Sequence, residues 1–305
     1  MALDLSAIVV SYNTSGLLAS CLRSVGETAT GLAYELIVVD NGSRDGSVEM
    51  VMRDFPHVRL IRNQDNRGFA AASNQAIRAS LGRHVLLLNS DAALLPGTAD
   101  RMVSFLDGHP QVGVVGGLLL NPDGSFQASY ADFPGLSGEL LLLTKLARVF
   151  RSPAYPSYPE EKSREPRAVD WVPGACLMAR RAAIDAVGYL DEDYFMYAEE
   201  TDWCYRMRQA GWLVYYLPDA KTIHWSGQSA GRAPERKRLQ VYRSKWLFMR
   251  KHRGALAAAT FRLVVRLASA AKLVAWALTA ATPDRARRER ALLHVRSYAL
   301  LLNEL

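Results

Sequence analysis

The stretch YELIVVDNGSRDGS (residues 34–47) decides the fold class of this chain of 305 residues. Its first half is a short apolar run that ends at Asp40, a pattern that predicts a strand buried on both faces. Its second half, rich in glycine, serine and aspartate, is typical of a loop. The segment SVEMVMRDF (residues 47–55) then has helical spacing. The stretch therefore predicts a strand, a loop and a helix in series.

The same series recurs along the first hundred residues. Strand-like runs are LSAIVVSYN (residues 5–13), VRLIRN (58–63) and HVLLLNSDA (84–92), and helix-like segments are TSGLLASCLRSVGE (14–27) and GFAAASNQAIRAS (68–80). Strands that alternate with helices form βαβ units and a parallel sheet. We therefore predict an α/β fold over residues 1–231, with a mostly parallel central sheet flanked by helices. Residues 232–305 are predicted to form a separate basic helical segment.

Polar clusters follow three of the predicted strands, at the point where each strand ends. Parallel strands present their carboxyl ends at one edge of the sheet, and ligands bind beyond that edge. We therefore predict a binding site at this edge, although turns and helix caps use the same residue types. The clusters are Ser11, Tyr12 and Asn13; Asp40 and Asn41; and Asn89, Ser90 and Asp91.

The charge of the chain is unevenly distributed. Residues 1–231 carry a net charge of −6 and residues 232–305 one of +13, within a total of +7. Residues 255–282 predict a helix about 42 Å long. Because Arg262, Arg266 and Lys272 interrupt it, we expect this helix to lie on a membrane surface rather than to span the bilayer. A core-packing helix is the alternative, and a nucleic-acid partner is disfavoured because no recognisable binding module is present.

Cysteine spacing, the N-terminus and the absence of common motifs narrow the class of protein. The three cysteines are far apart and lack zinc-binding spacing, which is typical of a reducing compartment. The N-terminal residues predict a first strand rather than a signal peptide, since no basic residue precedes the apolar run. The sequence contains no Walker A, GxGxxG, GxSxG or HExxH motif.

Residues 151–167, rich in proline, tyrosine and charge, predict a mobile loop that acts as a lid.

The stretch YFMYAEETDWCYRMRQAGW (residues 194–212) places three acids at the start of a predicted helix. Acidic residues in a first turn favour the helix dipole, which is one reason for such a pattern. A general base is the second, because Glu199 and Glu200 stand beside large apolar residues that would desolvate a carboxylate. Asp202 and Arg206 are four residues apart on the same helix, so we expect Asp202 to form a structural ion pair.

Two further residues are candidates for a metal site. Asp91 ends an apolar strand, where a carboxylate suits Mg²⁺ or Mn²⁺ bound together with substrate phosphates. His224 ends the late strand WLVYYLPDAKTIHW (residues 212–225). A turn residue is the alternative for Asp91, and a structural histidine is the alternative for His224.

Together the motifs resemble the family-2 glycosyltransferases, specifically their rhamnosyltransferase-like branch. The resemblance follows the family's order of motifs and covers about residues 5–230. The matching segments are IVVSYN (8–13), ELIVVDNGSRDGS (35–47), NRGFAAASNQA (66–76), LLNSDA (87–92), WVPGACLMARR (171–181), FMYAEETDWCYRMRQAGW (195–212) and TIHWSGQS (222–229).

The resemblance implies a nucleotide-sugar-binding fold of the GT-A type that uses a divalent metal, Mg²⁺ or Mn²⁺, and inverts the anomeric carbon. Asp91 matches the metal-binding acid of the family's DxD signature, in which Asn89 replaces the first acid, and His224 would complete the coordination. The residues implied to bind the donor are Ser11, Tyr12, Asn13, Asp40, Asn41, Asn66, Arg67, Gly68, Asn74, Asn89, Ser90 and Asp91.

The same resemblance implies that Glu200 is the general base, because it stands where the family's Glu-Asp motif has its aspartate. Glu199 is the second candidate. The acceptor side is expected to be lined by Trp171, Gly174, Ala175, Asp202 and Trp203.

The branch implies dTDP-L-rhamnose as donor, and the basic amphipathic tail suggests a polyprenyl-pyrophosphate-linked saccharide as acceptor, in the synthesis of cell-wall or surface polysaccharide. Lys245, Arg250, Lys251 and His252 are expected to meet the pyrophosphate. Residues 255–297 are expected to contact the anionic inner face of the cell membrane, so that the enzyme is cytoplasmic and peripheral. No nucleic-acid partner is expected, and a homo-oligomer is left open. The alternatives are the same fold with a UDP- or GDP-hexose or a galactofuranose donor, and an inactive membrane-anchored subunit that binds sugar nucleotides.

Overall fold

The computed structural model describes residues 3–144, 165–226 and 234–305. The predicted lid at 151–167 lies outside the described residues, apart from its last three. The strands are β1 Leu5–Ser11, β2 Tyr34–Asp40, β3 Arg59–Arg62, β4 His84–Asn89, β5 Ala92–Leu94, β6 Val112–Leu120, β7 Phe126–Gln127, β8 Arg167–Ala168, β9 Cys176–Arg180 and β10 Leu213–His224. The helices are α1 Ser15–Thr28, α2 Ser47–Asp54, α3 Phe69–Ala79, α4 Thr98–Gly108, α5 Leu136–Thr144, α6 Arg181–Val187, α7 Glu199–Gln209, α8 Pro234–Arg253, α9 Ala255–Ala280 and α10 Arg285–Glu304.

One sheet runs through the fold, in the order β3-β2-β1-β4-β9-β6-β10-β5, with β7 on β6 and β8 on β10. The predicted parallel arrangement is confirmed for β3, β2, β1 and β4, which are neighbours and run in the same direction. In the other half, β9 is antiparallel to β4 and β6, and β5 is antiparallel to β10. The α/β fold is as predicted, and its sheet is mixed.

Helices cover the sheet on both faces because the strand side chains alternate between two cores. In β4, Leu86 and Leu88 join one apolar cluster with α1 and α4, and Val85 and Leu87 join the other with α3 and α7. This alternation is the two-residue period of a strand. Each fully buried leucine of this kind stabilises the fold by about 1.5–3 kcal/mol. The continuous apolar runs of the sequence are therefore explained by burial on both faces.

The chain divides into two compact units, of which the first contains the sheet. The second comprises, among the described residues, 134–144, 196–198 and 234–305. In it the helices α8, α9 and α10 pack on one another, and α5 packs on α9. The expected boundary between residues 231 and 232 stays a prediction, and the second unit in addition includes the two short upstream segments.

The helix predicted over residues 255–282 is observed as α9, and its apolar side chains are divided between a buried and an exposed face. Phe261 and Val265 are buried within the unit, whereas five large apolar side chains of α9 are exposed. These are Leu256, Leu263, Leu267, Val274 and Leu278, spaced seven and four residues apart in turn. Such spacing places them on one face, which is about 33 Å long at 1.5 Å per residue. An 18-residue window has a mean hydropathy of 1.5, so length and composition would also allow α9 to cross a membrane.

Candidate functional site

The site lies at the carboxyl edge of the parallel strands, where the three predicted polar clusters meet. The register pairs Ser11 with Asp40, and Val10 with Asn89, so that the strands end side by side. The backbone N–H of Asn41 donates to the carbonyl oxygen of Ser11 at 2.8 Å. Thr14 Oγ1 donates to Ser90 Oγ at 2.9 Å. Local sequence alone placed each cluster after a strand, and the sheet brings them together.

Asp40 is a buried carboxylate with one oxygen left for a ligand. Its Oδ1 accepts hydrogen bonds from the backbone N–H groups of Gly42 at 3.1 Å and Ser43 at 2.9 Å. Its Oδ2 is buried and has no hydrogen-bond partner in the described part of the chain. A buried carboxylate oxygen without a partner is costly. Asp40 Oδ2 therefore has unused capacity to accept a hydrogen bond.

The loop after β1 is fastened to the loop after β2. Asn13, in the left-handed region with a φ of 53°, accepts from the backbone N–H of Arg44 at 2.8 Å. The backbone N–H of Asn13 donates to Ser43 Oγ at 2.9 Å. Ser15 donates to Asp45 Oδ2 at 2.8 Å in the same way. Tyr12, half-buried, lies between these fixed residues, and the two loops form one rigid wall of the site.

A network of amide side chains continues this wall towards α3. Asn41 Nδ2 donates to Asn66 Oδ1 at 3.3 Å and to the carbonyl oxygen of Gly68 at 3.0 Å. Asn63 Nδ2 donates to Asn41 Oδ1 at 2.9 Å, and Asn63 also exchanges hydrogen bonds with Gln75. Neither Asn63 nor Gln75 was among the predicted site residues, although Gln75 lies within the motif NRGFAAASNQA (66–76) and Asn63 lies three residues before it. The network holds the amides in place, and it leaves the nearby Arg67 side chain exposed.

Position 68 requires glycine because of its backbone conformation and a close backbone contact. Its φ is 81°, and a Cβ at this position would lie 2.3 Å from the carbonyl oxygen of Phe195. The backbone N–H of Phe69 donates to the same oxygen at 2.8 Å. The start of α3 is therefore in direct backbone contact with the segment that precedes the acidic helix.

Asn74 supports the site from behind rather than lining it. Its Nδ2 donates to the carbonyl oxygen of Leu190 at 2.8 Å and to Glu192 Oε1 at 2.9 Å. Its Oδ1 accepts from the backbone N–H of Leu190 at 3.0 Å. Asn74 is also fully buried. Its amide is used in holding residues 190–192, which corrects the expectation of direct contact with a donor.

Asp91 and His224 come together although 133 residues separate them. Asp91 Oδ1 lies 3.3 Å from His224 Nε2, and Asn89 Nδ2 lies 3.3 Å from the same nitrogen. The pairing of β5 with β10 aligns Ala92 with His224 and so produces this contact. Residues 89, 91 and 224 therefore form one polar group at the edge of the sheet.

The side-chain atoms of Asp91 and His224 suit a hard divalent cation that is also bound by phosphate oxygens of a substrate. His224 Nδ1 lies 2.6 Å from Gln127 Oε1, which can only accept, so Nδ1 carries a proton, and Nε2, 3.3 Å from Asp91 Oδ1, is the ring nitrogen placed to bind a metal. No group of three or more His, Cys, Asp or Glu side chains suited to a metal occurs in the described ranges. Mg²⁺ and Mn²⁺ sites commonly combine one or two protein ligands with phosphate oxygens. Gln127 was not among the predicted site residues, because it lies in no motif.

Glu199 and Glu200 begin α7 as two adjacent carboxyl groups that are largely shielded from solvent. Glu199 is buried, and burial together with the charge of Glu200 raises its pKa well above the ordinary value. Burial raises the pKa of Glu200 to about 6, and the backbone N–H groups of Glu200, Gly174 and Thr201 partly oppose this shift. One oxygen of each carboxyl group is buried without a hydrogen-bond partner among the described residues. Glu200 therefore ionises first and is the better proton acceptor near neutral pH.

The dipeptide Gly174–Ala175 connects the acidic pair with the polar group at Asp91. A Cβ added to Gly174 would lie 3.8 Å from Glu200 Cβ, so the backbone passes directly beside the carboxyl group. The carbonyl oxygen of Ala175 accepts from the backbone N–H of Asn89 at 3.1 Å. Trp171, half-buried, donates from Nε1 to the carbonyl oxygen of Asp132 at 2.9 Å. Two of the expected acceptor-side residues, Gly174 and Ala175, thus lie next to the candidate site, whereas the indole of Trp171 contacts Asp132.

The remaining two expected acceptor-side residues support α7 from inside the fold. Trp203 is fully buried, and its Nε1 donates to the carbonyl oxygen of Gly188 at 2.8 Å. Asp202 is buried and forms the expected ion pair with Arg206 at 2.8 Å. Because neither side chain reaches the surface, the assignment of both to an acceptor surface is corrected.

Two consecutive residues with left-handed backbone precede the acidic pair. Tyr197 has a φ of 70° and Ala198 a φ of 67°. Side chains with a Cβ adopt this region at a cost of about 1–3 kcal/mol each, and such strain is concentrated at functional sites. The backbone at the start of α7 is therefore tightly specified.

Comparisons with known proteins give the family. Residues 6–188 match the family model described as Glycosyl transferase family 2. The chain is 33% identical over 267 residues to the N-acetylglucosaminyl-diphospho-decaprenol L-rhamnosyltransferase of Mycobacterium tuberculosis, covering 82% of this chain and 85% of that one. It is 28% identical over 225 residues to the low-salt glycan biosynthesis hexosyltransferase Agl10 of Haloferax volcanii, covering 72% and 67% of the two chains.

Solved structures of the same fold include a mannosyltransferase, PcManGT from Pyrobaculum calidifontis, in complex with GDP-Man and Mn²⁺. It superposes with a TM-score of 0.59 at 17% identity, over 100% of this chain and 88% of that one. GalNAc-T7 with UDP, GalNAc and Mn²⁺ superposes with a TM-score of 0.57 at 16% identity, over 80% and 47% of the two chains. These likenesses concern the fold, and the family model and the sequence identity concern the family. The chain belongs to glycosyl transferase family 2, in which it resembles the rhamnosyltransferases.

Proposed function

We propose that the protein is an inverting glycosyltransferase that moves L-rhamnose from dTDP-L-rhamnose to a hydroxyl group of a polyprenyl-diphosphate-linked saccharide containing N-acetylglucosamine. The similarity to the mycobacterial rhamnosyltransferase over 82% of the chain supports the donor and the acceptor. The reaction type rests on one observation, the half-buried Glu200 with a pKa of about 6 beside the more strongly shifted Glu199. A carboxylate with such a pKa is suited to general-base catalysis near neutral pH.

In the proposed reaction, Glu200 takes the proton of the acceptor hydroxyl group. The acceptor oxygen forms a bond with the anomeric carbon, on the face opposite the phosphate. The bond between that carbon and the phosphate oxygen breaks, and dTDP leaves with the electron pair. Glu199, which keeps its proton to higher pH, leaves the negative charge of the pair on Glu200.

The donor would lie along the carboxyl edge of the sheet. The unpartnered Oδ2 of Asp40 is suited to an N–H group of a nucleoside base, and the fixed loops at Asn13 and Asn41 would exclude water from it. Asp91 and His224 would hold a divalent metal, Mg²⁺ or Mn²⁺. When bound, the metal supplies positive charge that stabilises the leaving diphosphate.

We further propose that the enzyme acts at the inner face of the cell membrane, with the exposed apolar face of α9 in contact with lipid. Basic residues flank α9 at both ends, at residues 250–253 and 285–290. Spanning helices are usually flanked by basic residues on the cytoplasmic side, so this symmetry supports a helix that lies in the interface. Cytoplasmic nucleotide sugars would be accessible from this position.

The first test is a measurement of donor binding and transfer with purified protein. dTDP-rhamnose, UDP-sugars and GDP-sugars are compared with Mg²⁺, with Mn²⁺ and with a chelator, and a prenyl-diphosphate-linked N-acetylglucosamine serves as acceptor. Metal-dependent selectivity for dTDP-rhamnose is expected. Selectivity for another nucleotide sugar would overturn the choice of rhamnose, and no binding of any donor would favour an inactive binding subunit.

A pair of variants tests the assigned roles in the same assay. Glu200→Gln should abolish transfer and leave donor binding intact, whereas Asp91→Ala should weaken metal-dependent donor binding. Glu27→Gln is the matched control, since Glu27 is exposed on α1 and lies outside the proposed site. Retained transfer by Glu200→Gln would remove Glu200 from its role.

A further inference from the structure

The C-terminal helices contain a long stretch with positive charge only. Residues 236–283 include eleven lysine and arginine residues and no aspartate or glutamate. Carboxylates from distant parts of the same unit pair with two of the cations, Arg243 with Glu304 at 2.7 Å and Lys245 with Glu139. The pairing of Lys245 corrects the expectation that it is open to a pyrophosphate. Arg250 and Arg262, by contrast, have no carboxylate partner among the described residues.

Arg250 and Arg262 are arranged around one aromatic ring. Arg250 is one turn beyond Trp246 on α8, and its guanidinium carbon lies 5.5 Å from the centre of the indole ring. The guanidinium carbon of Arg262, from α9, lies 4.7 Å from the same centre. The two guanidinium groups are therefore at most about 10 Å apart. The turn at Gly254, with a φ of 91°, returns the chain so that α9 reaches this ring.

Contacts within the described part of the chain do not satisfy the two guanidinium groups of Arg250 and Arg262. One indole ring attracts a cation at its face, but two cations on one ring repel each other. Neither arginine makes an ion pair or a hydrogen bond within the described part of the chain. Arg262 Nε is in addition buried without a hydrogen-bond partner. A buried N–H donor of this kind normally has an acceptor.

The helix dipole and aromatic packing account for only part of this cluster. Basic residues at the C-terminal end of a helix interact favourably with its dipole, which suits Arg250 in the last turn of α8. Arg262 lies in the interior of α9 and gains nothing from that dipole. Packing against Trp246 explains the position of its side chain but leaves the Nε–H donor unused.

We propose that Arg250 and Arg262, held by Trp246, form a binding site for a diphosphate, and that in the proposed function its ligand is the diphosphate of the lipid-linked acceptor. Guanidinium groups bind phosphate oxygens through two parallel N–H···O bonds, so two of them match two adjacent phosphate groups. The same chemistry would accept the phosphate of an anionic membrane lipid. The acid-free stretch around the pair provides a positive field that attracts either anion.

A vesicle-binding experiment with the full chain tests the site without any transfer reaction. Phosphatidylcholine vesicles carry either polyprenyl diphosphate or, at equal surface charge, phosphatidylglycerol. A chelator is present and the donor is omitted, so that the site at Asp91 does not compete for the diphosphate. Co-sedimentation is measured for the wild type, for Arg250→Gln/Arg262→Gln and for the matched control Arg266→Gln/Arg288→Gln, which removes the same charge from two exposed positions.

The glutamine pair should lower binding to polyprenyl diphosphate vesicles by about tenfold or more, since each charge-assisted hydrogen bond contributes about that factor. The control pair should lower it much less. Arg250→Lys/Arg262→Lys, which keeps the charge and loses the paired N–H donors, should fall between the two and guards against loss of folding.

Two results would overturn the proposal. If the control pair reduces binding as much as the glutamine pair, only net charge matters and there is no site. If the glutamine pair reduces binding equally on phosphatidylglycerol vesicles, the site recognises lipid headgroups and not the acceptor. A wrong donor sugar would leave these binding results unchanged, so failure of the proposed function is distinguishable from failure of this site.

Discussion

Replacing Glu200 with glutamine should remove activity and at the same time stabilise the protein at neutral pH. The pKa of Glu200 rises from the ordinary 4.5 to about 6, chiefly because the carboxyl group is buried. At about 1.36 kcal/mol for each tenfold change in the ionisation constant, a rise of this pKa from 4.5 to about 6 corresponds to at most about 2 kcal/mol of unfolding free energy. Glutamine has nearly the same shape and no charge to bury. The gain in stability should therefore approach this value above pH 6.

The sign of the pH dependence follows from proton binding. Between pH 4.5 and pH 6 the folded protein holds the proton of Glu200 while the unfolded chain releases it. The wild type consequently loses stability as the pH rises through this window, and the loss is complete above it. Below pH 4.5 both states are protonated, so the wild type and Glu200→Gln should have equal stability.

Urea unfolding of both proteins at pH 4 and pH 8 measures this difference. Glu192→Gln is a control with the opposite sign, because the hydrogen bond from Asn74 holds the pKa of Glu192 below its usual range. That variant should be less stable than the wild type at pH 8, and the difference should shrink at pH 4. Donor binding by Glu200→Gln confirms that its site is intact.

The same pKa sets the pH profile of the wild-type enzyme. Because the carboxylate form of Glu200 accepts the proton, kcat/KM should rise through pH 6 and level off above it. A Glu200→Gln protein that is less stable than the wild type at pH 8 would refute the assignment of a desolvated carboxylate. A wild-type profile that is flat from pH 5 to pH 8 would refute the role of Glu200 as base.

Three further substitutions have defined outcomes. Gly68→Ala should lower the unfolding free energy by at least about 2 kcal/mol. A left-handed residue with a Cβ costs about 1–2 kcal/mol, and this Cβ would in addition clash with the backbone oxygen of Phe195. Unchanged urea unfolding would contradict this expectation. Gln127→Leu should weaken Mn²⁺ binding about 10–100-fold by releasing the orientation of His224, as measured by calorimetry, while Gln127→Glu should preserve it. Gly174→Ala should fold normally but reduce kcat/KM for the acceptor and spare donor binding, because its Cβ would lie against Glu200 without a clash; equal kinetics would show that the acceptor does not approach there.

The fold and the edge of the site could be predicted because both depend on local patterns. Apolar runs that end in polar residues locate buried strands, and parallel pairing aligns their ends without further information. Asp40 and Asp91 were identified in this way. The desolvation of Glu199 and Glu200 could also be predicted, since they stand beside large apolar residues in the sequence.

Long-range side-chain contacts could not be read from the sequence. Gln127 is the partner of His224 across 97 residues, in a segment with no motif. Asn74 lies in a recognisable motif, but its amide bonds to Leu190 and Glu192 depend on a pairing 116 or more residues away. Trp203 follows the acidic pair by only a few residues, yet helical geometry turns it into the core. Sequence places such residues on elements, and packing decides what they contact.

The C-terminal helices show the same limit. An amphipathic pattern separates two faces of α9, but it does not say which face is covered. The expectation of a membrane-surface helix followed from the spacing of Arg262, Arg266 and Lys272 in an apolar segment. Tertiary packing decides that Arg262 contacts Trp246 and that Leu263 and Leu267 are exposed, and the sequence pattern does not show this.

The exposed leucine face of α9 has a practical consequence for handling the protein. In aqueous buffer without detergent, a continuous apolar strip about 33 Å long has no lipid to cover it, and two molecules can cover it for each other. Particle sizes measured by chromatography in such buffer would then report adhesion between strips rather than a native assembly. A native homo-oligomer should keep its size when mild detergent is added, whereas particles held together through α9 should dissociate into monomers.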